Sequence, residues 1–226
     1  MIVIVVIVLD IKTMADENIF LFVPNLIGYS RIILALISFY YMPFNAWVAA
    51  SLYLLSGLLD AFDGHAARVL NQCTKVGAVL DMVTDRCATA ALLVVLAQFY
   101  PKYQFIFQFL ILLDISSHWV QVNSNLLAGN LNHKVVAESG NWFLKLYYTS
   151  RVVLFVMCAG NELFFAMLYL LHFASGPAIL GVGLWTLLAV ITFPICAIKN
   201  GINVIQLVGG FQLLAEIDVQ ERQKSK

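Results

Sequence analysis

The sequence predicts an all-α, polytopic membrane protein built as a bundle of six transmembrane helices. Of its 226 residues, 62% are hydrophobic and only 12% are charged, whereas soluble domains average about 45–50% and about 25%. Apolar segments of about 20 residues, the length that crosses a bilayer, recur six times along the chain. The formal net charge is zero, which gives no reason to expect nucleic-acid binding.

The six apolar segments divide the chain into spans and connections. They run near residues 25–44, 46–65, 77–100, 103–124, 151–174 and 177–200. Two connections, 66–76 and 125–150, are longer and more polar than the others. We predict a membrane domain over residues 14–215 and a cytosolic tail over residues 216–226.

Residues 1–13 differ from the rest of the chain. Their apolar run, MIVIVVIVLD, is too short to cross a bilayer. It also lacks the basic start and small-residue cleavage site of a signal peptide. We expect a dispensable extension, with translation starting at Met1 or Met14. The alternative is a short hydrophobic anchor lying at the membrane surface.

The distribution of basic residues predicts the orientation. Six spans place both termini on one side, and Lys102 is then the only one of 13 Lys and Arg residues on the opposite side. The positive-inside rule therefore places the termini and both long connections in the cytosol. The chain ends in ERQKSK, which resembles a loose retrieval signal of the endoplasmic reticulum, although a solvated tail is the simpler explanation. We expect a multi-pass protein of that membrane.

Four aspartates interrupt the apolar pattern on either side of the 66–76 connection. Asp60 and Asp63 are three residues apart, and Asp81 and Asp85 are four apart, so each pair shares one helix face. Neighbouring antiparallel helices allow the two pairs to face each other. Four carboxylates in one partly dehydrated cleft need protons or cations to offset their repulsion. All-oxygen ligands suit Mg²⁺ or Mn²⁺, and two such ions suit a phosphoryl-group reaction.

The residues between the two aspartate pairs favour a phosphate-bearing ligand. Gly64 allows close approach to the backbone. Arg68 is a fixed cation that can pair with phosphate. Thr74 offers a hydroxyl near a helix start, where backbone amides favour anions. The alternative, a solvated helix end with ordinary surface charges, explains two aspartates better than it explains four.

The same stretch resembles the signature of the CDP-alcohol phosphatidyltransferases. The matching positions are Asp60-x-x-Asp63-Gly64-x-x-Ala67-Arg68, then eight residues, then Gly77-x-x-x-Asp81-x-x-x-Asp85. From Met14 onward the chain also resembles the branch of this family that uses inositol as acceptor; residues 1–13 depart from the pattern. The resemblance implies six transmembrane helices, usually in a homodimer, that convert CDP-diacylglycerol and myo-inositol into phosphatidylinositol and CMP.

The resemblance also implies roles for individual residues. Asp60, Asp63, Asp81 and Asp85 match the family's ligands for two Mg²⁺ or Mn²⁺ ions, and Asp85 also matches the acceptor of the hydroxyl proton. Gly64, Arg68 and Thr74 match positions that hold the head of CDP-diacylglycerol.

Other polar residues within the spans leave two interpretations open. Arg151 and His118 could line an inositol pocket, because a polyol needs many hydrogen-bond partners. They could equally make interhelical hydrogen bonds that only hold the bundle together. For Asp114 and Glu162 we favour the second interpretation.

Three other functions remain open at this stage. Another CDP-alcohol phosphatidyltransferase, with serine or glycerol phosphate as acceptor, would share the same signature. A divalent-cation transporter could use the four carboxylates as a transit site, although they lie toward one membrane face. A non-catalytic lipid-binding scaffold would have no need of the complete acidic set.

Overall fold

The computed structural model describes residues 18–128, 150–179 and 181–224. The predictions for residues 1–13 and for most of the 125–150 connection fall outside this part of the chain. The described residues form two compact units, which divide after Ala88.

The described part of the chain contains six α-helices. They are α1 Val23–Tyr41, α2 Ala46–Val69, α3 Lys75–Phe99, α4 Gln104–Ala128, α5 Arg151–Phe173 and α6 Leu184–Lys224. Single 3₁₀ turns lie at Ile19–Leu21 and Pro101–Tyr103. Two-residue strands, β1 Ala178–Ile179 and β2 Val182–Gly183, pair antiparallel before α6. The all-α fold class is confirmed.

Five of the six helices are long and apolar enough to cross a membrane by length and composition. The exception is α3, which carries Lys75, Asp81, Asp85 and Arg86 in its first half. Large apolar side chains cover the outside of the helices; Phe105, for example, is 77% exposed. A soluble protein would bury such side chains, so the chain is a polytopic membrane protein.

In the first unit, α1 and α2 form an antiparallel hairpin held by hydrogen bonds between them. Asn45 caps α2, because its side chain accepts a hydrogen bond from the Val48 amide. The Ser38 hydroxyl donates to the Ala49 carbonyl at 2.8 Å. The register of the two helices is thereby fixed at the end of the hairpin next to the turn. Residues farther from the turn on α1 and α2 then face each other.

The 66–76 connection is shorter than predicted. Helix α2 continues to Val69 and α3 begins at Lys75, so only residues 70–74 form the loop. Asn71 has a φ of 55°, a left-handed conformation that commonly ends a helix. The polar residues of 66–76 therefore belong partly to the ends of α2 and α3 and not to a longer loop.

In the second unit, α6 packs against both α4 and α5. The contact with α4 is close at Gly210, where a Cβ atom would lie 2.7 Å from Cγ1 of Val120. Small residues at such points let two membrane helices approach each other.

Helix α6 differs from the predicted segment 177–200 at both ends. It starts later because Gly176, with a φ of 78°, turns the chain into the short β1–β2 hairpin; such a φ suits glycine. It continues past residue 200, through most of the predicted tail 216–226, to Lys224. Lys199 lies within α6 and is buried, and its Nζ donates to Oδ1 of Asn203 one turn further along the helix.

Candidate active site

The four aspartates lie in the first unit, on two helices that follow each other in the chain. Asp60 and Asp63 belong to α2, and Asp81 and Asp85 belong to α3. Ligand oxygens of Asp60, Asp63 and Asp81 all lie within 4.8 Å of one another. The two pairs therefore converge, as their helical spacing predicts. This is the kind of oxygen cluster that can hold a divalent ion.

Arg31 of α1 lies at the centre of this acidic cluster. Its Nη1 lies 2.8 Å from Oδ1 of Asp60, 2.9 Å from Oδ2 of Asp63 and 2.7 Å from Oδ1 of Asp81. Its Nη2 donates a hydrogen bond to Oδ1 of Asp85. From the sequence, Arg31 is predicted only to be one of the 13 Lys and Arg residues that set the orientation. The structure therefore adds a cationic member to the predicted site.

The surroundings of Arg31 fix its position. Its side chain is 2% exposed, and its carbonyl accepts a hydrogen bond from the Ser56 hydroxyl at 3.0 Å. Ser56 lies four residues before Asp60 on α2, so the same helix turn that presents the aspartates also holds the backbone of α1.

The carboxylates of the cluster are partly open, although the arginine is not. The side chains of Asp60, Asp81 and Asp85 are 38%, 47% and 32% exposed, whereas that of Asp63 is 11% exposed. Asp85 also has its Oδ2 3.5 Å from a nitrogen of Arg86. The cluster thus presents carboxylate oxygens on an accessible side while its counter-cation stays buried.

A cavity of about 170 Å³ adjoins the cluster within the first unit. Asp63 and Asp81 belong to its lining, together with the three residues predicted to hold the CDP-diacylglycerol head, Gly64, Arg68 and Thr74. The structure thus brings both predicted groups to the same concave surface.

The wall of the cavity has little room for larger residues. A Cβ atom on Gly77 would lie 2.9 Å from Oδ1 of Asn25 and 3.1 Å from Oγ1 of Thr74. Thr74 Oγ1 accepts a hydrogen bond from the Gly77 amide at 3.0 Å, which is the arrangement of a helix N-cap. The hydroxyl of Thr74 therefore orients the first turn of α3 at the edge of the cavity.

Asn25 and Gln72 also line the cavity, although they belong to none of the predicted site groups. Asn25 lies in the first turn of α1, whose N-cap residue is Phe22. The Asn25 amide donates to the Ile19 carbonyl at 2.7 Å. Gln72 accepts a hydrogen bond from the Val23 amide at 3.0 Å. These two contacts fix the start of α1 beside the cavity.

The family of the chain follows from comparison with known sequences. The model of the CDP-alcohol phosphatidyltransferase family matches residues 21–192, a range that contains all four aspartates and the cavity residues. The chain belongs to this family. Enzymes of the CDP-alcohol phosphatidyltransferase family generally depend on divalent metal ions, and the acidic cluster fits that requirement.

Curated relatives cover almost the entire chain. The CDP-diacylglycerol–inositol 3-phosphatidyltransferase of Rattus norvegicus is 54% identical over 213 residues, which is 94% of this chain and all of the relative. The proteins of the same name in Schizosaccharomyces pombe and Saccharomyces cerevisiae are 48% and 44% identical. They cover 93% and 90% of this chain and 96% and 90% of their own lengths. No solved structure matches the chain.

The predicted inositol-pocket residues belong to the second unit. His118 of α4 has its Nδ1 2.8 Å from the Asp114 carbonyl, one turn earlier in the same helix. Arg151 begins α5, and its side chain lies outside the described part of the chain. A role in binding inositol stays a prediction for both residues.

Asp114 and Glu162 make the interhelical hydrogen bonds that we favoured for them. Oδ1 of Asp114 on α4 accepts from the Asn203 amide on α6 at 3.3 Å. Oε1 of Glu162 on α5 accepts from the Thr89 hydroxyl on α3 at 2.6 Å. Such bonds hold helices together in lipid.

Proposed function

We propose that the chain transfers the phosphatidyl group from CDP-diacylglycerol to myo-inositol, giving phosphatidylinositol and CMP. The observation that carries the proposal is the convergence of four signature aspartates beside a cavity that Gly64, Arg68 and Thr74 also line. The similarity to curated inositol transferases over more than nine-tenths of the chain supports the choice of acceptor.

The aspartates are suited to hold two Mg²⁺ or Mn²⁺ ions. Carboxylate oxygens are the donors that these ions prefer, and three of the four side chains are at least 32% exposed. When bound, two divalent ions neutralise charge on a pyrophosphate and on its leaving group. Asp60, Asp63, Asp81 and Asp85 would hold them.

Asp85 is the proposed general base. An inositol hydroxyl is a poor nucleophile at neutral pH, so a carboxylate that accepts its proton lowers the barrier. The hydroxyl oxygen forms a bond to the phosphorus that bears diacylglycerol, while the bond from this phosphorus to CMP breaks. CMP leaves with the bonding electrons, and the proton passes to the Asp85 carboxylate. The pyrophosphate bond supplies the driving force, so no ATP is needed.

Cavity residues position the donor. Arg68 lies over Gly64, with its guanidinium 3.4 Å from the place where a Cβ would stand. A phosphate can therefore reach the helix backbone and the guanidinium together, which a side chain at position 64 would prevent. Thr74 and the first turn of α3 add a hydroxyl and backbone amides at the same edge.

An acceptor assay tests the proposal. Purified protein with CDP-diacylglycerol and Mn²⁺ receives labelled inositol, serine or glycerol phosphate in parallel. Label should enter lipid from inositol alone. Transfer to serine or glycerol phosphate would assign the chain to another branch of the family. Metal flux in proteoliposomes without CDP-diacylglycerol would favour a transporter, and lipid binding without any transfer would favour a scaffold.

We further propose that the protein lies in the endoplasmic reticulum membrane as a homodimer, with the active site and both termini in the cytosol. The distribution of Lys and Arg supports this orientation. The native Cys73 is exposed beside the cavity, so an impermeant thiol reagent should label it from the cytosolic face of sealed microsomes. A Cys73→Ser variant provides the background, and labelling from the lumen alone would reverse the orientation. Crosslinking in native membranes followed by sizing tests the dimer.

A further inference from the structure

Arg31 is the only charged residue of α1, and it contacts all four aspartates of the site. Its two terminal nitrogens reach Asp60 and Asp63 on α2 and Asp81 and Asp85 on α3. It thereby joins the two helices that carry the acidic groups to a third helix. Among the described salt bridges, no other basic residue contacts more than one of these aspartates.

We infer that Arg31 is the internal counter-cation that keeps the four aspartates together while no metal ion is bound. It is a positioning residue, since it acts on the carboxylates and not on a reacting atom. The inference rests on the proposed role of the aspartates as metal ligands. It adds that the site is assembled before the ions arrive.

The charge balance explains the need for such a residue. Four carboxylates within contact of one guanidinium leave an excess of negative charge, and without Arg31 this excess would be larger and unshielded. Repulsion between carboxylates in a partly dehydrated place is strong. A guanidinium keeps its charge at any physiological pH and offers several donors in a fixed plane, so one side chain can hold several carboxylates.

The burial of Arg31 shows that its position is set by these contacts. Its side chain is 2% exposed, and its buried Nε has no hydrogen-bond partner within the described residues. An unpaired buried donor is costly, so the bonds from Nη1 and Nη2 to the carboxylates must offset that cost. Ser56 holds the backbone carbonyl of Arg31 from α2. The guanidinium is therefore placed independently of any ligand.

The inference predicts how protein stability depends on metal ions. Arg31 and divalent ions offset the charge of the same carboxylates, so each should stabilise the protein most when the other is absent. In EDTA, Arg31→Gln should lower the unfolding midpoint by about 6 °C or more, as expected for the loss of one partner from a buried ionic cluster. Mn²⁺ should raise the midpoint of Arg31→Gln more than that of the unaltered protein.

The deciding experiment compares five purified proteins in EDTA by thermal unfolding: the unaltered chain, Arg31→Gln, Arg31→Lys, Asp81→Asn, and Asp81→Asn combined with Arg31→Gln. Arg31→Lys should recover at least half of the loss, because it keeps the charge. Asp81→Asn should raise the midpoint when Arg31 is Gln, because it removes one repelling carboxylate. The same change should lower the midpoint when Arg31 is present, because it removes one partner of the guanidinium. That reversal of sign would not arise from packing alone.

Two outcomes would overturn the inference. One is a loss in Arg31→Lys equal to that in Arg31→Gln. The other is a double variant that is no more stable than Arg31→Gln. Arg86→Gln is the matched control, because Arg86 lies 3.5 Å from Asp85 and contacts none of the other three aspartates in the described salt bridges. Asp81→Asn should therefore change the midpoint in the same direction whether residue 86 is Arg or Gln.

The test separates this inference from the proposed function. The five EDTA measurements contain neither metal nor substrate, so a failed transfer assay does not change them. The ligand role of the aspartates is tested by the Mn²⁺ arm of the unaltered protein, whose midpoint should rise. A midpoint that does not move would count against the ligand role alone.

Discussion

Two regions of this molecule place charged groups inside apolar helices, and they treat the charge differently. In the first unit, four aspartates share one arginine, and three of the carboxylates are at least 32% exposed. In the second unit, Lys199, Asn203 and Asp114 form a chain of hydrogen bonds in which each residue is less than 10% exposed.

The second region contains one positive and one negative side chain with a neutral amide between them. Nζ of Lys199 lies 2.6 Å from Oδ1 of Asn203, and the amide of Asn203 lies 3.3 Å from Oδ1 of Asp114. The two opposite charges lie in one hydrogen-bonded group, as buried charged groups in a membrane require. This group holds α4 against α6, and its two charges offset each other.

The difference shows how an intramembrane charge can be assigned to function or to structure. The aspartate cluster has excess negative charge, open carboxylates and an adjoining cavity, so cations and a phosphate-bearing ligand can complete it. The Lys199 network pairs one positive side chain with one negative side chain. Ionisable residues occur in both regions, so their presence does not distinguish a functional region from a structural one. The balance of charge and the exposure of the charged side chains do distinguish the two regions.

Asp85→Asn should have the largest effect on activity. The amide keeps the shape of the side chain but has almost no basicity, so the transfer rate should fall by at least roughly 10³-fold. Binding of CDP-diacylglycerol should fall much less. Turnover of labelled inositol, measured beside binding of a CDP-lipid at saturating Mn²⁺, checks this.

The matched control for Asp85→Asn is Asp114→Asn in the second region. It should lower the unfolding midpoint but leave the transfer rate of the folded protein within about three-fold. Near-normal turnover in Asp85→Asn would remove Asp85 as the base. A loss of lipid binding equal to the loss of rate would make it chiefly a metal ligand.

Asp63→Asn should lower the transfer rate by about 10²-fold, since even groups that only support a metal ligand contribute about 10–100-fold. Unlike Asp85→Asn, it should weaken Mn²⁺ and CDP-lipid binding together, because Asp63 lines both the acidic cluster and the cavity. Titration with Mn²⁺, in which the electron paramagnetic resonance signal of the unbound ion is recorded, measures the affinity for the metal ion. Unchanged affinities for both ligands would separate Asp63 from the proposed metal site.

Gly77→Ala should raise the KM for CDP-diacylglycerol by about ten-fold, a discrimination typical of one methyl group in a binding site. The new Cβ would press on Asn25 and Thr74 at the cavity wall. Gly57→Ala on α2 is the control, because its Cβ would meet no atom within 4 Å. Steady-state kinetics over a range of CDP-diacylglycerol concentrations provide the measurement. Equal KM values in the two variants would contradict a ligand at this wall.

Lys199→Met should have the smallest effect on catalysis, with a rate per folded molecule within about three-fold of normal. Its effect should be on stability, because Asn203 loses a buried hydrogen-bond partner at a cost of about 1–3 kcal/mol. Thermal unfolding and turnover on the same preparation test both points. A large loss of turnover without loss of stability would show that the second region also takes part in the reaction.

Local sequence was sufficient to predict the helices and the acidic motif. The first five apolar segments lie within a few residues of α1 to α5, because the need to bury backbone hydrogen bonds in lipid makes each span a continuous helix. The spacing of Asp60 with Asp63, and of Asp81 with Asp85, determines which helix face each pair occupies. Gly64, Arg68 and Thr74 line the cavity beside them, as the signature implies.

The errors occur where a residue's environment depends on distant parts of the chain. The apolar segment 177–200 ends one residue after Lys199, yet α6 continues, and Lys199 is linked through Asn203 to Asp114 of α4. Asn25 belongs to none of the predicted site groups, yet it contributes to a cavity whose other wall is formed by α2 and α3. Asp114 and the residues of that wall are far from Lys199 and Asn25 in the sequence.

The sequence by itself determined the membrane class, the helical faces of the four aspartates and the family of the chain. Each depends on hydropathy, period or local spacing, which a helix in lipid converts directly into structure. Only the tertiary structure decided that Arg31 lies among those aspartates. It also decided that the charges of Asp114 and Lys199 offset each other, whereas the four aspartates outnumber their arginine. Arg31 is 29 residues before Asp60 in the chain, and only the packing of α1 against α2 and α3 makes them neighbours.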